Sequence, residues 1–227
     1  MHHGVFEGPK AKNQPVRILI LGESHHINKK DKENSEAGKE ATYPTCRIVA
    51  EYFEDTEKKN KNLRFFEKIA KSFGIIVPLD EEADAFWNKV YFGNYISVLC
   101  GVGDNTAENM IKDEDNRKTY NNALFKFVNE NGIDVIFCFG RRVFNALPSL
   151  YDKSEDKGKV LNGITIGGKA DYISKCVYFP HVSHGNTDIL LEKELSVFCM
   201  RHPSGKGGYS PENYRNYLEK HFRECVY

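Results

Sequence analysis

The sequence predicts an α/β protein with a mostly parallel sheet. Two short apolar runs, residues 16–21 and 133–139, each stop at a glycine, as is typical of strands buried on both faces. Segments with helical spacing of apolar residues alternate with these runs and with further strand-like runs along the chain, which favours parallel strands joined by helices. With 227 residues, 40% of them hydrophobic, the chain is long enough for one large domain.

The predicted elements follow from local patterns taken in order. Continuous apolar or β-rich runs predict strands over 16–21, 89–100 (interrupted at Gly93-Asn94), 133–139, 176–180 and 195–200, with a small hairpin near 160–166. Helical periodicity and start or stop residues predict helices over 45–53, 63–73, 81–88, 116–131, 141–147, 188–194 and 211–224. We expect one domain over 1–227, with 1–14 as an irregular lead-in and 15–225 folded, and a long exposed loop over 26–41.

Composition excludes several classes of protein. Lys and Arg total 32 and Asp and Glu total 32, so no global positive field attracts nucleic acid and any basic surface must be local. No apolar run approaches the roughly 20 residues that span a bilayer, and the first residues do not resemble a signal peptide. A local basic stripe would come from Arg141, Arg142, Lys169, Arg201 and Lys206.

The six cysteines are spread along the chain without a C-x-x-C pair. Four of them, at 100, 138, 176 and 199, lie in apolar strand-like runs, where a free cysteine behaves as a small hydrophobe. Disulfides, zinc and iron–sulfur clusters need tighter or patterned spacing. We therefore expect reduced core thiols in a cytoplasmic protein.

Polar residues gather in loops that directly follow predicted strands. The loops are residues 22–26 (G-E-S-H-H), 140–142 (G-R-R) and 201–205 (R-H-P-S-G). In open α/β sheets, ligands bind beyond the carboxyl ends of the strands. Asn94 is a fourth polar point inside an apolar run, and its amide offers a donor and an acceptor side by side, which suits the reading of a base.

In this order, the four segments resemble the uracil-DNA glycosylase superfamily. The members of that superfamily have a strand that runs into a glycine loop and a later strand with a base-reading asparagine. A V-I-x-x-x-G strand leading into a helix and a His-Pro-Ser loop before the last helix complete the pattern. The corresponding segments here are I-L-I-L-G-E-S-H-H, W-N-K-V-Y-F-G-N-Y-I, I-D-V-I-F-C-F-G-R-R and V-F-C-M-R-H-P-S-G, within residues 16–223.

The resemblance implies a three-layer α/β/α sandwich around a central, mainly parallel four-stranded sheet. It also implies hydrolysis of the N-glycosidic bond of a damaged or modified base in DNA, after extraction of that base from the stack. The resemblance further implies that no metal or other cofactor is needed and that the partner is single- or double-stranded DNA or a nucleotide. Gly22 would let the backbone approach the flipped nucleotide, Asn94 would bond the base edge, and His202 would stabilise the charge on the departing base. The expected binding residues are Gly22, Ser24, Tyr43, Asn94, Pro203, Ser204 and Gly205.

The first loop departs from the family pattern. Ser24 and His25 stand where the family commonly has an acidic or amide residue followed by proline. The role of orienting the attacking water therefore falls to Glu23, His25 or His26, and the sequence leaves this choice open. Tyr43, in the long polar loop, is the candidate for stacking on a base.

Other interpretations remain at this point. Ser24 could be the nucleophile of a serine-type hydrolase with His181, His184 or His202 as its base, although no G-x-S-x-G elbow is present. A second His-x-Ser loop, F-P-H-V-S-H-G-N over residues 179–186, is an alternative to the loop at 202–204. The chain could also be a non-catalytic module that binds nucleic acid or a nucleotide. The histidines lack the spacing of metal ligands.

Overall fold

The structure is a computed structural model that describes residues 4–26, 44–54, 64–75, 85–100, 106–149, 162–166, 171–203 and 209–226. Its strands are β1 (Val5–Glu7), β2 (Ile18–Gly22), β3 (His25–His26), β4 (Tyr91–Asn94), β5 (Leu99–Cys100), β6 (Val135–Phe139), β7 (Asn162–Ile166), β8 (Asp171–Tyr178) and β9 (Leu195–Met200). Its helices are α1 (Pro44–Glu54), α2 (Arg64–Ser72), α3 (Ala107–Lys112), α4 (Glu114–Asn131), α5 (Arg141–Ala146) and α6 (Pro211–Val226). The predicted α/β class is confirmed.

The main sheet is mixed and has the strand order β1-β4-β2-β6-β9-β8-β7. Strands β4, β2, β6 and β9 are parallel to their neighbours in this series, whereas β1, β8 and β7 pair antiparallel at the two sides. The prediction of a four-stranded, mainly parallel sheet is therefore wrong, because it describes only the centre of a sheet with seven strands in the described part of the chain. The central strands are those with continuous apolar runs, since both of their faces are covered.

The strand register defines two edges of the sheet. Gly22 lies opposite Asn94, and Phe139 lies opposite Met200, so β2, β4, β6 and β9 all end on one side, here called the carboxyl edge. Strand β8 runs the other way, and Tyr178 at its end lies opposite Leu195, the first residue of β9. The residues that follow β8 therefore lie at the opposite side, here called the amino edge.

Side chains of the central strands alternate between two buried cores. Leu19 and Leu21 belong to one core, together with residues of α3, α4 and α5. Ile18 and Ile20 belong to the other, together with residues of α1, α2 and α6. Because successive strand residues point to opposite faces, helices cover the sheet on both faces. The thiols at 100, 138, 176 and 199 are free and buried, as predicted.

Two local predictions are wrong. Residues 188–194 form no helix, because side chains of α4 bind their backbone: Asn122 Oδ1 accepts from Asp188 N at 2.8 Å, and Asn129 Nδ2 donates to Leu190 O at 2.8 Å. The predicted irregular lead-in contains β1, a strand too short to show periodicity, which pairs with β4. Of the helix predicted over 81–88, residues 85–87 are helical and 81–84 lie outside the described residues, as does most of the loop predicted over 26–41.

Candidate functional site

The four predicted polar segments, which follow β2, β4, β6 and β9, meet at the carboxyl edge. Tyr95 N donates to Gly22 O at 2.9 Å and Ile96 N donates to Glu23 O at 3.0 Å, so the pairing of β2 with β4 continues one residue past the strand ends. On the other side, Gly140 N donates to Met200 O at 2.9 Å. The loops after β2, β4, β6 and β9 are thus held side by side. With strands about 4.8 Å apart, the ends of β2 and β9 lie about 10 Å apart, with the end of β6 between them.

Gly22 and Asn94 make a close approach that only glycine permits. The Oδ1 atom of Asn94 lies where a Cβ atom on residue 22 would stand, and that Cβ would also be 3.5 Å from Asn94 Cγ. Any other residue at position 22 would displace the asparagine side chain. The asparagine therefore lies across the end of β2, on the β4 side.

Asn94 is buried with a relative exposure of 4%. Its Nδ2 atom has no hydrogen-bond partner within the described ranges. A buried donor left unsatisfied costs about 1–3 kcal/mol, and such groups are uncommon in native proteins. A ligand carbonyl that accepts from this amide would remove the cost.

Glu23 is held by an arginine from the neighbouring loop. Arg142 Nη1 lies 2.7 Å from Glu23 Oε1, and the side chains are 50% and 18% exposed respectively. Arg142 belongs to the first turn of α5, directly after β6. The sequence placed Arg142 in a polar loop after a strand and in a basic stripe, but it did not indicate that Arg142 pairs with Glu23. The ion pair fixes the glutamate carboxylate at the carboxyl edge, between the loops after β2 and β6.

The remaining residues of the first loop turn away from the main sheet. Strand β3 pairs in parallel with β5, with His25 opposite Leu99 and His26 opposite Cys100. His25 Nε2 is 3.0 Å from Thr45 Oγ1 of α1. Burial raises the pKa of the Cys100 thiol, and a hydrogen bond with the Ser24 hydroxyl acts against this shift. The side chain of His26 lies outside the described part of the molecule.

His202 lies beside the end of β6. A Cβ atom on Gly140, whose φ is +130°, would be 3.9 Å from His202 Cδ2. The imidazole also contacts Phe65, with ring centroids 5.4 Å apart. Pro203 is buried, and its carbonyl accepts a hydrogen bond from Lys68 Nζ at 2.9 Å. Both α2 and β6 therefore position the histidine loop.

Phe65 also belongs to this site, although the sequence predicted only that it lies in the helix over 63–73. It is partly buried and packs against Phe92 and Phe139 near the ends of β4 and β6, at ring distances of 6.1 and 6.4 Å. Its neighbour Phe66 lies in the core. Two consecutive phenylalanines on a helix point in different directions. This spacing was the sequence feature that could have indicated a role for Phe65 outside the core.

The second His-x-Ser loop lies at the amino edge. His184 is buried there, with Nε2 3.2 Å from Phe179 O, and its ring meets Tyr178 edge-on at 5.0 Å. Burial lowers the pKa of His184. Because β8 runs antiparallel to β9, His181 and His184 are separated from Gly22, Asn94 and the residues after β9 by the length of the sheet.

A comparison of the chain with protein-family models and with curated proteins finds no match. The predicted residues Tyr43, Ser204 and Gly205 lie outside the described residues. Among the residues that the structure describes, no group of three or more His, Cys, Asp or Glu side chains could hold a metal ion. None of the described helices is both long and apolar enough to cross a membrane.

Proposed function

We propose that the chain is a uracil-DNA-glycosylase-like hydrolase with the three-layer α/β/α fold of that superfamily, which releases a damaged or modified base from DNA. One observation carries the proposal: the buried amide of Asn94 lies across Gly22 with Nδ2 unpaired in the described residues. Loops carrying an acid, Glu23, and an imidazole, His202, lie at the same carboxyl edge.

The asparagine amide suits one edge of a nucleobase. An amide that donates through Nδ2 and accepts through Oδ1 is complementary to an adjacent carbonyl and N–H, the lactam edge that uracil and hypoxanthine both carry. Gly22 leaves room for Asn94 to lie flat across the end of β2. Phe65, partly buried beside His202, offers an apolar ring on which a flipped base could stack.

Cleavage of the glycosidic bond needs one protein group to stabilise the positive charge on the sugar and another to stabilise the negative charge on the base. The glycosidic bond breaks through an oxocarbenium-like state, in which the sugar becomes positive and the departing base negative. In this proposal, Glu23 stabilises the sugar and orients the attacking water, and Arg142 holds its carboxylate in place. His202 stabilises the negative charge on the base, as a preorganised donor does for a developing anion.

His25 is the alternative residue for orienting water. Its Nε2 is tied to the Thr45 hydroxyl at 3.0 Å, whereas its main chain pairs away from the main sheet with β5. Glu23 lies two residues closer than His25 to the end of β2, and its carbonyl accepts from Ile96 N, two residues after Asn94. This favours Glu23, and we expect Glu23→Gln to lower the rate of base release more than His25→Gln.

The experiment is an incubation with single-stranded and duplex oligonucleotides that carry uracil or hypoxanthine, with abasic sites detected by alkaline strand cleavage. We expect base release, and a fall of about 100-fold in rate, or about 2.7 kcal/mol in activation free energy, for His202→Ala and Asn94→Ala. His181→Asn is the matched control, because this exposed histidine lies at the amino edge with φ +58°, a conformation that asparagine tolerates. Its rate should equal that of the unmodified chain.

Either of two results would contradict the proposal and indicate another function. Cleavage of p-nitrophenyl esters that depends on Ser24, without release of any base, would identify a serine-type hydrolase. Binding of DNA without either activity would identify a binding module. Circular dichroism of each variant separates a loss of activity from a loss of the fold.

A further inference from the structure

Arg141 is an exposed arginine fixed on an aromatic ring. It begins α5 directly after Gly140, and its Cζ atom lies 4.1 Å from the centroid of the Tyr172 ring. Among the residues that the structure describes, no carboxylate pairs with it. A guanidinium stacked by its face keeps its N–H groups pointing outward in the plane, where they match the oxygens of a phosphate.

The supporting tyrosine does not neutralise this positive charge. Tyr172 is partly buried, and burial, together with the nearby Cys199 thiol, raises its pKa to about 12 although Arg141 acts to lower it. The ring therefore remains uncharged at neutral pH. Tyr172 packs against the core on the α4 side of the sheet, which limits how far the stacked guanidinium can move.

Arg141 and Tyr172 lie near the base pocket that we propose between Asn94, Glu23 and His202. Ile173, the residue after Tyr172, lies opposite Met200 in the register of β8 with β9. Gly140, the residue before Arg141, donates to Met200 O and lies beside His202. Arg141 therefore follows β6, the strand next to β2, while the Tyr172 ring that holds its guanidinium is on β8, three strand spacings, or about 14 Å, from β2.

The charges around this position favour an anion. Arg142 is paired with Glu23, so this neighbouring cation and acid largely cancel. Lys68 contributes a second cation on the far side of His202, where its Nζ atom reaches Pro203 O. The pocket is thus flanked by Arg141 on the α5 side and Lys68 on the α2 side, although the chain as a whole has no net charge.

We propose that Arg141, held on Tyr172, binds a phosphodiester of the DNA strand beside the nucleotide that enters the pocket. The choice of ligand rests on the proposed function, because a nucleotide in a pocket at the carboxyl edge brings its neighbouring phosphates over the loops after β6 and β9. Contacts of this kind position a strand and carry no sequence information.

The test is the binding of a fluorescein-labelled, unmodified single-stranded oligonucleotide, measured by anisotropy over a series of salt concentrations. Each phosphate contact on a single strand contributes about 0.7 to the slope of log affinity against log salt. Arg141→Gln should weaken binding about fivefold at low salt and reduce the slope by about 0.7. Tyr172→Leu should weaken binding in the same direction, whereas Tyr172→Phe, which keeps the ring, should bind like the unmodified chain.

Lys175→Gln is the matched control. Lys175 lies on the same strand as Tyr172 and makes the same kind of contact, with Nζ 5.3 Å from the centre of the Phe198 ring, but Phe198 belongs to the core on the other face of the sheet. This variant should keep both affinity and slope. A mononucleotide should compete at least tenfold more weakly than the oligonucleotide; equal competition by inorganic phosphate would identify an anion site rather than a strand site and would overturn the inference.

The result separates this inference from the proposed function. Unchanged affinity and slope in Arg141→Gln, or no DNA binding by the unmodified chain, would overturn the phosphate site. Binding that depends on Arg141 without release of any base would support the phosphate site and contradict the glycosylase proposal. Base release by an Arg141→Gln variant with unchanged binding would support the glycosylase proposal and contradict the phosphate site.

Discussion

Two buried asparagines differ in their hydrogen bonding, and this difference makes Asn94 testable as a ligand-binding residue. Asn121 has no exposed surface; its Oδ1 accepts from Tyr95 Oη at 2.9 Å, and its Nδ2 donates to Ala146 O at 3.3 Å and Asn186 O at 3.1 Å. Asn94 is nearly as buried, yet its Nδ2 donates to no group in the described residues. The first amide stabilises the fold, and we infer that the second is kept for a ligand.

The two alanine variants should therefore differ in stability. Asn121→Ala breaks three hydrogen bonds worth about 1 kcal/mol each, so the free energy of unfolding should fall by about 3 kcal/mol. Asn94→Ala removes an unpaired amide whose burial costs about 1–3 kcal/mol, which offsets the lost packing of a small truncated side chain, about 1–2 kcal/mol. The net change should stay within about 1 kcal/mol, or less than about 4 °C in melting temperature.

The assay is urea unfolding followed by the fluorescence of the single tryptophan, Trp87, which is fully buried. Base release is measured on the same samples below the unfolding transition. Asn94→Ala should lose about 100-fold in base release, equivalent to about 2.7 kcal/mol, with little loss of stability, and Asn121→Ala should show the opposite pattern. Equal destabilisation of the two variants would refute the reasoning, because it would mean that the Asn94 amide stabilises the fold.

Three further predictions concern the same edge and its opposite. Gly22→Ala should lower the free energy of unfolding by about 1–3 kcal/mol and also lower base release, since a Cβ atom would overlap Asn94 Oδ1. In the Asn94→Ala background the same change should cost less stability, which a double-mutant cycle in urea measures. Additive effects would contradict the contact. Arg142→Gln should reduce the rate of base release about tenfold. The free energy of unfolding should fall by less than about 1 kcal/mol, as expected for a partly exposed ion pair. Equal rates of base release in this variant and the unmodified chain would show that Arg142 is not needed to position Glu23. Burial lowers the pKa of His184 below its ordinary value of 6.5, so as pH falls the unfolded chain binds a proton at His184 before the folded chain does. The free energy of unfolding should therefore decrease as pH falls below about 6.5. His184→Gln should show a smaller decrease in urea titrations between about pH 5 and pH 8, and an unchanged decrease would contradict this assignment.

The central strands could be predicted because their evidence is local. Residues 18–22 and 135–139 are all buried, and a strand covered on both faces must be apolar throughout. The side strands carry weaker signals: β1 has three residues, and β8 mixes buried and partly exposed positions. Their membership of the sheet depends on pairing with distant segments, which no local pattern records.

The segment at 188–194 illustrates why a helical pattern can fail. Its backbone groups are satisfied by the side chains of Asn122 and Asn129 on α4. Since a helix would provide the same groups with internal partners, the outcome depends on which partners the tertiary structure supplies. Residues 188–194 are therefore compatible with a helix and with a non-helical segment bound to α4, and the sequence does not distinguish the two.

The sequence by itself determined the α/β class, the four apolar strands at the centre of the sheet and the polar character of the loops that follow them, because these depend on which residues stand next to each other. Only the tertiary structure decided that Asn94 crosses Gly22, that Arg142 holds Glu23, and that the loop of His202 lies at the carboxyl edge while His184 lies at the other. Those facts depend on the order and direction of the strands, which are set by the packing of helices on both faces of the sheet. A histidine at the end of an antiparallel strand looks the same in sequence as one at the end of a parallel strand, yet the two lie at opposite edges.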